Sequence, residues 1–251
     1  MSAGVEPDTL LARVADDRAS VYAALSVGFY LPDAALVWEV REGAFGSRIS
    51  AAVRWLGPDA APYDRPLADL EAVARAMRPQ TPDVILRELR VDHARLFTGP
   101  GRPAVPAFES QYTDAEDGVG PLHGPTTSQV AAWYRNAGLE RAAGHNDLPD
   151  YVATELEFLY ALAHGESEAR SEGRQEEARE LRRETDRFLR AHPGRWMTRF
   201  AGAVLAAAPH PFYGALALLL DLHLATELGE SMDRSLLPWT AGEAPSDGHT
   251  S

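Results

Sequence analysis

The chain has 251 residues, of which 45% are hydrophobic and 24% are charged, a composition that permits a packed core in one domain or in two closely packed lobes. Its net charge is −13 and all 24 basic residues are arginine, so nucleic acid is a poor partner, and a Schiff-base lysine or a phosphate-binding P-loop is excluded. The chain has no cysteine, which excludes disulfides, thiolate nucleophiles and cysteine metal sites and suits a reducing compartment.

Two stretches of the chain bear on where in the cell the protein is located. The first residues, "MSAGVEPDTLLARVADD", carry acids where a signal peptide has a basic region followed by an apolar run. The longest apolar stretch, "FYGALALLLDLHLA", is interrupted by Asp221 and His223 and is too short to span a membrane. We therefore expect a cytoplasmic protein without a membrane span.

Helical periodicity dominates, so the predicted class is all-α, with about nine or ten helices in one domain over residues 1–251. A Pro/Gly-rich loop near the middle either lies within one body or joins two packed lobes. A disordered tail is predicted for residues 240–251. The predicted helices cover residues 8–30, 34–56, 67–77, 82–98, 126–138, 150–164, 195–208 and 212–228. One more predicted helix follows a charged connection after residue 164 and ends at residue 191.

The helix of residues 82–98 begins at a clear signal, with Thr81 as N-cap and Pro82 at the first helical position. Asp92 and His93 fall on its apolar face, together with Ile85. A buried carboxylate is costly unless it is paired. The two residues are therefore either structural, bonded to a neighbouring helix, or part of a cleft.

Two further places break the expected pattern. In "LPDYVATELEFLYALAH", Glu155 falls inside a wide apolar arc, which predicts that it is buried and needs a donor, while Asp150 lies where a carboxylate can cap a helix. In "LFTGPGRPAVPAFESQY", prolines favour an extended chain, and Glu109 stands between Phe108 and Tyr112. This loop is either a rigid connector or one wall of a binding site.

The segments "DHARLFTGPGRPAVPAFESQY", "VAAWYRNAGL", "LPDYVATELEFLYALA" and "PFYGALALLLDLHL" occur in an order that resembles the TorD/DmsD/NarJ family. The resemblance implies an all-α cytoplasmic chaperone for molybdopterin oxidoreductases of the DMSO reductase family. Such chaperones bind the apo-enzyme, often through its twin-arginine signal peptide, and hold back export until the cofactor is inserted. Where the family often has Glu-Pro-Asp-His, this chain has Leu148-Pro149-Asp150-Tyr151, and tyrosine does not titrate near neutral pH.

A receptor for two guanidiniums beside an apolar stretch needs carboxylates next to an apolar groove. We therefore expect Asp92, Glu109 and Asp150 to meet basic residues of the client, the apo molybdopterin oxidoreductase. The Pro-rich loop would be a stiff wall of this groove. No catalytic residue, metal or cofactor is assigned, and a monomer and a dimer both stay open. The predicted client-binding residues are Asp92, His93, Phe97, Pro103, Pro106, Phe108, Glu109, Ser110, Tyr112, Pro149, Asp150, Tyr151 and Glu155.

Two alternatives remain at this point. One is a metal-dependent hydrolase, with His93, His123, His145 and Asp147 as candidate ligands, although neither a His-Glu-x-x-His pattern nor a Gly-x-Ser-x-Gly elbow is present. The other is a non-catalytic helical scaffold or regulator in which the Pro-rich loop is only a connector.

Overall fold

The computed structural model describes residues 7–99, 103–114, 119–138, 148–207 and 210–229. Within these residues the fold is all-α, as predicted, and an isolated bridge between Phe108 and Tyr151 takes the place of any sheet. The predicted tail of residues 240–251 lies outside the described residues. The helices of the described residues are α1 (Pro7–Phe29), α2 (Ala34–Arg41), α3 (Ala44–Ala52), α4 (Asp64–Met77), α5 (Pro82–His93), α6 (Ser110–Thr113), α7 (Pro125–Asn136), α8 (Val152–Ser171), α9 (Gln175–Ala191), α10 (Pro193–Ala207) and α11 (Pro211–Leu228), with a 3-10 segment at Arg54–Tyr63 and a π-helical turn at Ala94–Thr98.

The count of eleven exceeds the nine predicted ranges by two, because α6 was not predicted and because the single helix predicted over residues 34–56 is wrong. Gly43 lies between α2 and α3 with a φ of 80°. This left-handed conformation is open to glycine at little cost and ends a helix. A second break follows at Val53, after which the chain continues as the 3-10 segment. The region is therefore two short helices and a tight turn.

The centre of the bundle is formed by α1 and α8, which pack along each other over most of their length. The helix α9 packs against α8, and α11, which is buried along most of its length, packs against α10 and α4. The Leu216 side chain of α11 packs directly against the backbone of α1 at Gly28, where an added Cβ atom would lie 2.8 Å from Leu216 Cδ1. One continuous hydrophobic core, which includes the fully buried Tyr22 and Trp196, runs through the described residues.

The charged connection predicted after residue 164 begins instead as a helix, since α8 continues to Ser171 and one charge of this part, Glu166, is paired in the core. Glu166, at the C-terminal end of α8, is only 3% exposed. Arg18 Nη1 on α1 donates to Glu166 Oε2 at 3.1 Å, and Arg170 Nη2 donates to Glu166 Oε1 at 2.7 Å. Arg18 Nη2 also donates to Glu227 Oε2 on α11 at 2.6 Å. This buried network ties α1, α8 and α11 together.

Membrane-spanning potential is limited to one bent pair. No single helix in the described part of the chain is both long and apolar enough to cross a membrane. The pair of α1 and α2 passes this test of length and hydropathy when the two helices are counted together, but the pair is bent by 118°.

Candidate functional site

The Pro-rich loop is fastened to the end of α5. The backbone N–H of Ala104 donates to the carbonyl of Arg95 at 3.3 Å, and that of Val105 donates to the carbonyl of Leu96 at 2.9 Å. These carbonyls belong to the π-helical turn, whose last groups have no partner within the helix itself. Val105 and Ala107 are both fully buried. Residues 104–107 of the loop therefore have a defined position against the core.

The same loop pairs with the segment that precedes α8. Glu109 N–H donates to the carbonyl of Asp150 at 2.9 Å, and Val152 N–H donates to the carbonyl of Ala107 at 3.0 Å. The side chains of Phe108 and Tyr151 lie on one face of this bridge, with their rings 5.3 Å apart. Those of Glu109, where α6 begins, and Asp150 point into the core on the other face.

The aromatic face of the bridge borders an open groove of about 500 Å³. Its floor is buried, whereas its upper edge is exposed and apolar, with Leu31 58% and Val27 44% exposed. An exposed apolar edge of this kind is typical of a surface that accepts an apolar segment of a partner. The groove is lined by Val27, Tyr30, Leu31, Asp33, Leu36, His93, Thr98, Phe108 and Tyr151.

Hydrogen bonds fix the polar side chains of the groove. Tyr151 Oη donates to the carbonyl oxygen of Phe29 at 2.7 Å, and His93 Nε2 lies 3.2 Å from the same oxygen and 3.5 Å from Tyr151 Oη. Tyr151 thus keeps an aromatic ring with a bonded polar tip in the position where the family often has histidine. Tyr30 Oη donates to the exposed carboxylate of Glu157 at 2.8 Å.

The other face of the bridge holds a buried carboxyl cluster, which we define as Glu109, Asp150 and Glu155. All three side chains are 0% exposed. The predictions that Glu155 is buried and that it needs a donor are both confirmed. Each member accepts one hydrogen bond: Glu109 Oε2 from His192 Nδ1 at 2.8 Å, Asp150 Oδ2 from Ser110 N–H at 3.1 Å, and Glu155 Oε2 from Trp196 Nε1 at 3.1 Å.

Burial and neighbouring charge act strongly on Glu155. Desolvation raises the pKa of its carboxyl group well above the ordinary value, and repulsion from Glu109 raises the pKa further. The Trp196 hydrogen bond lowers this pKa, whereas Asp150 and a hydrogen bond with the Glu109 carboxyl group raise it. Glu155 is therefore held in its protonated, neutral form over a wider pH range than an exposed glutamate.

Burial changes the interpretation of two predicted charge contacts. Glu109 and Asp150 have no exposed surface, so in this conformation neither carboxylate is open to a guanidinium from outside. Asp150 is also not the cap of its own helix, since Tyr151 is the N-cap of α8 and Asp150 instead binds the first backbone N–H of α6. Asp92 is half-exposed near His210 and Tyr213, and it does not line the groove.

The other predicted residues support the site from within. Phe97 is buried among aromatic rings, including those of Phe29 and Phe200. Tyr112 Oη donates to the carbonyl oxygen of Pro106 at 2.8 Å, which holds the loop closed on itself. Ser110 and Pro149 are buried, while Pro103 and Pro106 are half-buried.

Sequence reasoning missed the edge of the groove formed by the end of α1 and the turn after it. Val27, Tyr30 and Leu31 line this edge, and Asp33, an exposed carboxylate, accepts a hydrogen bond from Leu36 N–H at the start of α2. One signal was available in the sequence. Leu31 is apolar and lies directly before Pro32, past the end of the predicted helix, so the packing of that helix does not account for it.

The hydrolase alternative gains no support from the histidines. His93 bonds within the groove, and His123 is exposed in a turn with a φ of 62°. His145 and Asp147 lie outside the described residues. In the part of the chain that the structure describes, no three His, Cys, Asp or Glu side chains are grouped so as to hold a metal ion.

The fold and the site define a class of protein, namely an all-helical bundle with an aromatic groove beside a Pro-rich loop. Residues 57–202, more than half of the chain, match the family model described as nitrate reductase delta subunit, and the chain belongs to this NarJ/TorD/DmsD family. The resemblance proposed from the sequence motifs is thereby confirmed. The matched region includes the loop, the bridge and the buried carboxyl cluster.

Among characterised proteins, the chain is similar to the Tat proofreading chaperone DmsD of Salmonella typhimurium (strain LT2), with 28% identity over 131 residues. The match covers 52% of this chain and 56% of that relative, so it spans little more than half the length of either protein.

Proposed function

We propose that this protein is a maturation chaperone that binds the cofactor-free catalytic subunit of a molybdopterin oxidoreductase of the DMSO reductase family. It assists cofactor insertion and holds back export until the enzyme is mature, and it acts by binding rather than by catalysis. Membership of the family is the observation that carries this proposal. The name of the DmsD relative supports a role in proofreading for the twin-arginine pathway.

The groove is the proposed docking site for the client's signal peptide. Leu31 and Val27 expose apolar surface, and the half-buried Phe108 adds an aromatic wall, which suits the apolar part of such a peptide. The bridge and the carbonyls of Arg95 and Leu96 in the π-helical turn already order residues 104–109 of the loop. Binding therefore does not require this part of the loop to be immobilised, which lowers the entropic cost of association.

Charge favours a basic segment at the edge of this groove. The chain carries −13 overall, which steers a cationic peptide toward its surface. At the groove, the exposed carboxylates of Asp33 and Glu157 are accessible to guanidinium groups, whereas those of Glu109 and Asp150 are buried. In this proposal the buried carboxyl cluster holds the groove wall from behind, and Asp33 and Glu157 take the direct charge contacts.

The first test is co-purification from the native cell extract, with the bound protein identified by mass spectrometry. We expect a cofactor-free molybdopterin oxidoreductase subunit, enriched in cells blocked in molybdenum cofactor synthesis. Recovery of a specific partner of another class would support the helical scaffold alternative instead. Failure to recover any partner from the blocked cells would contradict the proposal.

The second test measures the affinity of the signal peptide of that client by fluorescence anisotropy. Leu31→Ala and Phe108→Ala should each weaken binding by about tenfold or more, since each removes an apolar contact in the groove. Val91→Ala is the matched control, because Val91 is 61% exposed and lies on α5 outside the groove. Equal effects of all three variants would show that the peptide binds elsewhere.

A further inference from the structure

The buried carboxyl cluster presents three oxygens to which no N–H group or alcohol hydroxyl group of the described residues donates. These oxygens are Glu109 Oε1, Asp150 Oδ1 and Glu155 Oε1, and all three residues are 0% exposed. Three ionised carboxylates in such a place would repel one another strongly and would lack the solvation that water provides. At least one of them must therefore be neutral for the cluster to be stable.

The groups that face the cluster come from every helix packed around it. His192, after α9, donates to Glu109, and Trp196 on α10 donates to Glu155. Tyr134 on α7 lies close enough for all three carboxylates to raise the pKa of its hydroxyl group, after the larger effect of burial. The Tyr134 hydroxyl is itself bonded to the carbonyl oxygen of Pro149 at 2.7 Å. These contacts leave a single basic side chain, His192, opposite three acids in the described structure.

We propose that one proton shared between Glu155 and Glu109 fastens the bridge segment that carries Phe108 to α8, and that loss of this proton at alkaline pH loosens the wall of the groove. With the proton present, the neutral carboxyl group donates to its ionised neighbour. Without it, two buried negative charges repel each other across the same contact. Glu109 is adjacent to Phe108 in the chain, so repulsion at Glu109 acts directly on the bridge.

The direction of the pH effect follows from burial. The pKa of Glu155 is raised in the folded protein, so its contribution to stability is complete in acid, below its ordinary value near 4.5, and is lost as the pH rises through the folded value. The bridge should therefore open more often as the pH increases. Only the consequence for the client rests on the proposed function.

Amide hydrogen exchange on the full-length chain without client tests the proton link. The reporters are the amides of Glu109 and Val152, which form the two bridge hydrogen bonds. Corrected for the intrinsic pH dependence of exchange, opening of the bridge should increase by up to about tenfold per pH unit above the pKa of Glu155. A profile that stays flat between pH 6 and pH 9 would overturn the proposal.

The matched variants are Glu155→Gln and Glu168→Gln. The glutamine amide donates to Glu109 as a neutral carboxyl group does and can accept from Trp196, so Glu155→Gln should remove the pH dependence. Glu168 is an exposed residue on the same helix, and Glu168→Gln should behave as the unmodified chain does. An identical pH profile in all three proteins would overturn the proposal.

Direct titration of the Glu155 carboxyl carbon by NMR in the unmodified chain keeps the inference testable if Glu155→Gln does not fold. A titration midpoint at the ordinary glutamate value would overturn the proposal. In Glu109→Gln the midpoint should fall, because a neighbouring charge is removed.

Peptide affinity at pH 6 and pH 9 separates this inference from the proposed function. Weaker binding at pH 9 in the unmodified chain, absent in Glu155→Gln, supports both. A pH-dependent bridge in a protein that binds no signal peptide supports the proton link and contradicts the proposed docking site. Equal affinity at both pH values overturns the effect on the client.

Discussion

The ion pair between Arg18 and Glu227 should contribute a pH-dependent part of the free energy of unfolding. The substitution Glu227→Gln should reveal this contribution. Both side chains are 3% exposed. Burial alone would raise the pKa of Glu227, but attraction to the Arg18 guanidinium and hydrogen bonds from it outweigh burial and lower the pKa from 4.5 to about 2. The ionised form of Glu227 is therefore the form that the folded protein stabilises.

The magnitude follows from the gap between those two pKa values. Each tenfold change in proton affinity is worth about 1.4 kcal/mol, so the charge on Glu227 contributes about 3 kcal/mol at neutral pH. Because the folded pKa is depressed, this contribution is complete above pH 4.5 and is lost as the pH falls toward 2. Glu227→Gln should therefore lower the free energy of unfolding by about 3 kcal/mol at pH 7 and by less than half of that at pH 3.

Urea unfolding followed by circular dichroism at pH 7 and pH 3 measures this difference. The control is Glu180→Gln on α9, where the carboxylate is exposed and its arginine pairs are in water, so the change should be much smaller. Replacing both partners, with Arg18→Met and Glu227→Leu, should recover part of the loss, because no buried charge is left without a partner. An equal loss for Glu227→Gln at both pH values would refute the electrostatic reasoning.

Two smaller effects concern helix ends and are measurable by thermal unfolding. The carboxylate of Asp114 accepts hydrogen bonds from both the backbone N–H and the hydroxyl group of Thr126, in the first turn of α7. Asp114→Ala should therefore lower the free energy of unfolding by about 1–2 kcal/mol. An unchanged unfolding midpoint would show that water replaces this cap. Gly43→Ala should cost about 1 kcal/mol through its φ of 80° alone, since nothing lies within 4 Å of the added Cβ. Gly202→Ala, inside α10 and equally free of contacts, should instead stabilise the fold by about 0.5–1 kcal/mol, and equal signs for the two glycines would contradict the conformational argument.

Much of the fold was predictable because local signals and burial agree. Pro82 begins α5 as predicted, and the apolar arc that placed Glu155 in the core is confirmed. The extension of α8 through residues 165–171 was not predictable from its polar composition. The partner that allows Glu166 to be buried, Arg18, lies 148 positions away in the sequence. A local pattern cannot indicate an ion pair of that separation.

The candidate site was only partly predictable, for a geometric reason. The motif residues Phe108, Glu109, Asp150 and Tyr151 are brought together by the bridge. Which of them face outward depends on the register of one bridge and on the turn into α6 that begins at Glu109. The apolar edge formed by Leu31 comes from a distant part of the chain and carries no motif, and its one signal, an apolar residue directly before Pro32, does not indicate which surface it joins.

The long-range ties of α1 have a consequence for synthesis. Residues of α1 bond to Glu166 and Glu227, which follow Arg18 by 148 and 209 positions. At about 5–20 residues per second, a ribosome makes Glu227 roughly ten to forty seconds after Arg18. During that interval the first helix emerges with its partners unmade. The native contacts of α1 with the end of α8 and with α11 therefore form only when synthesis of the chain is well advanced.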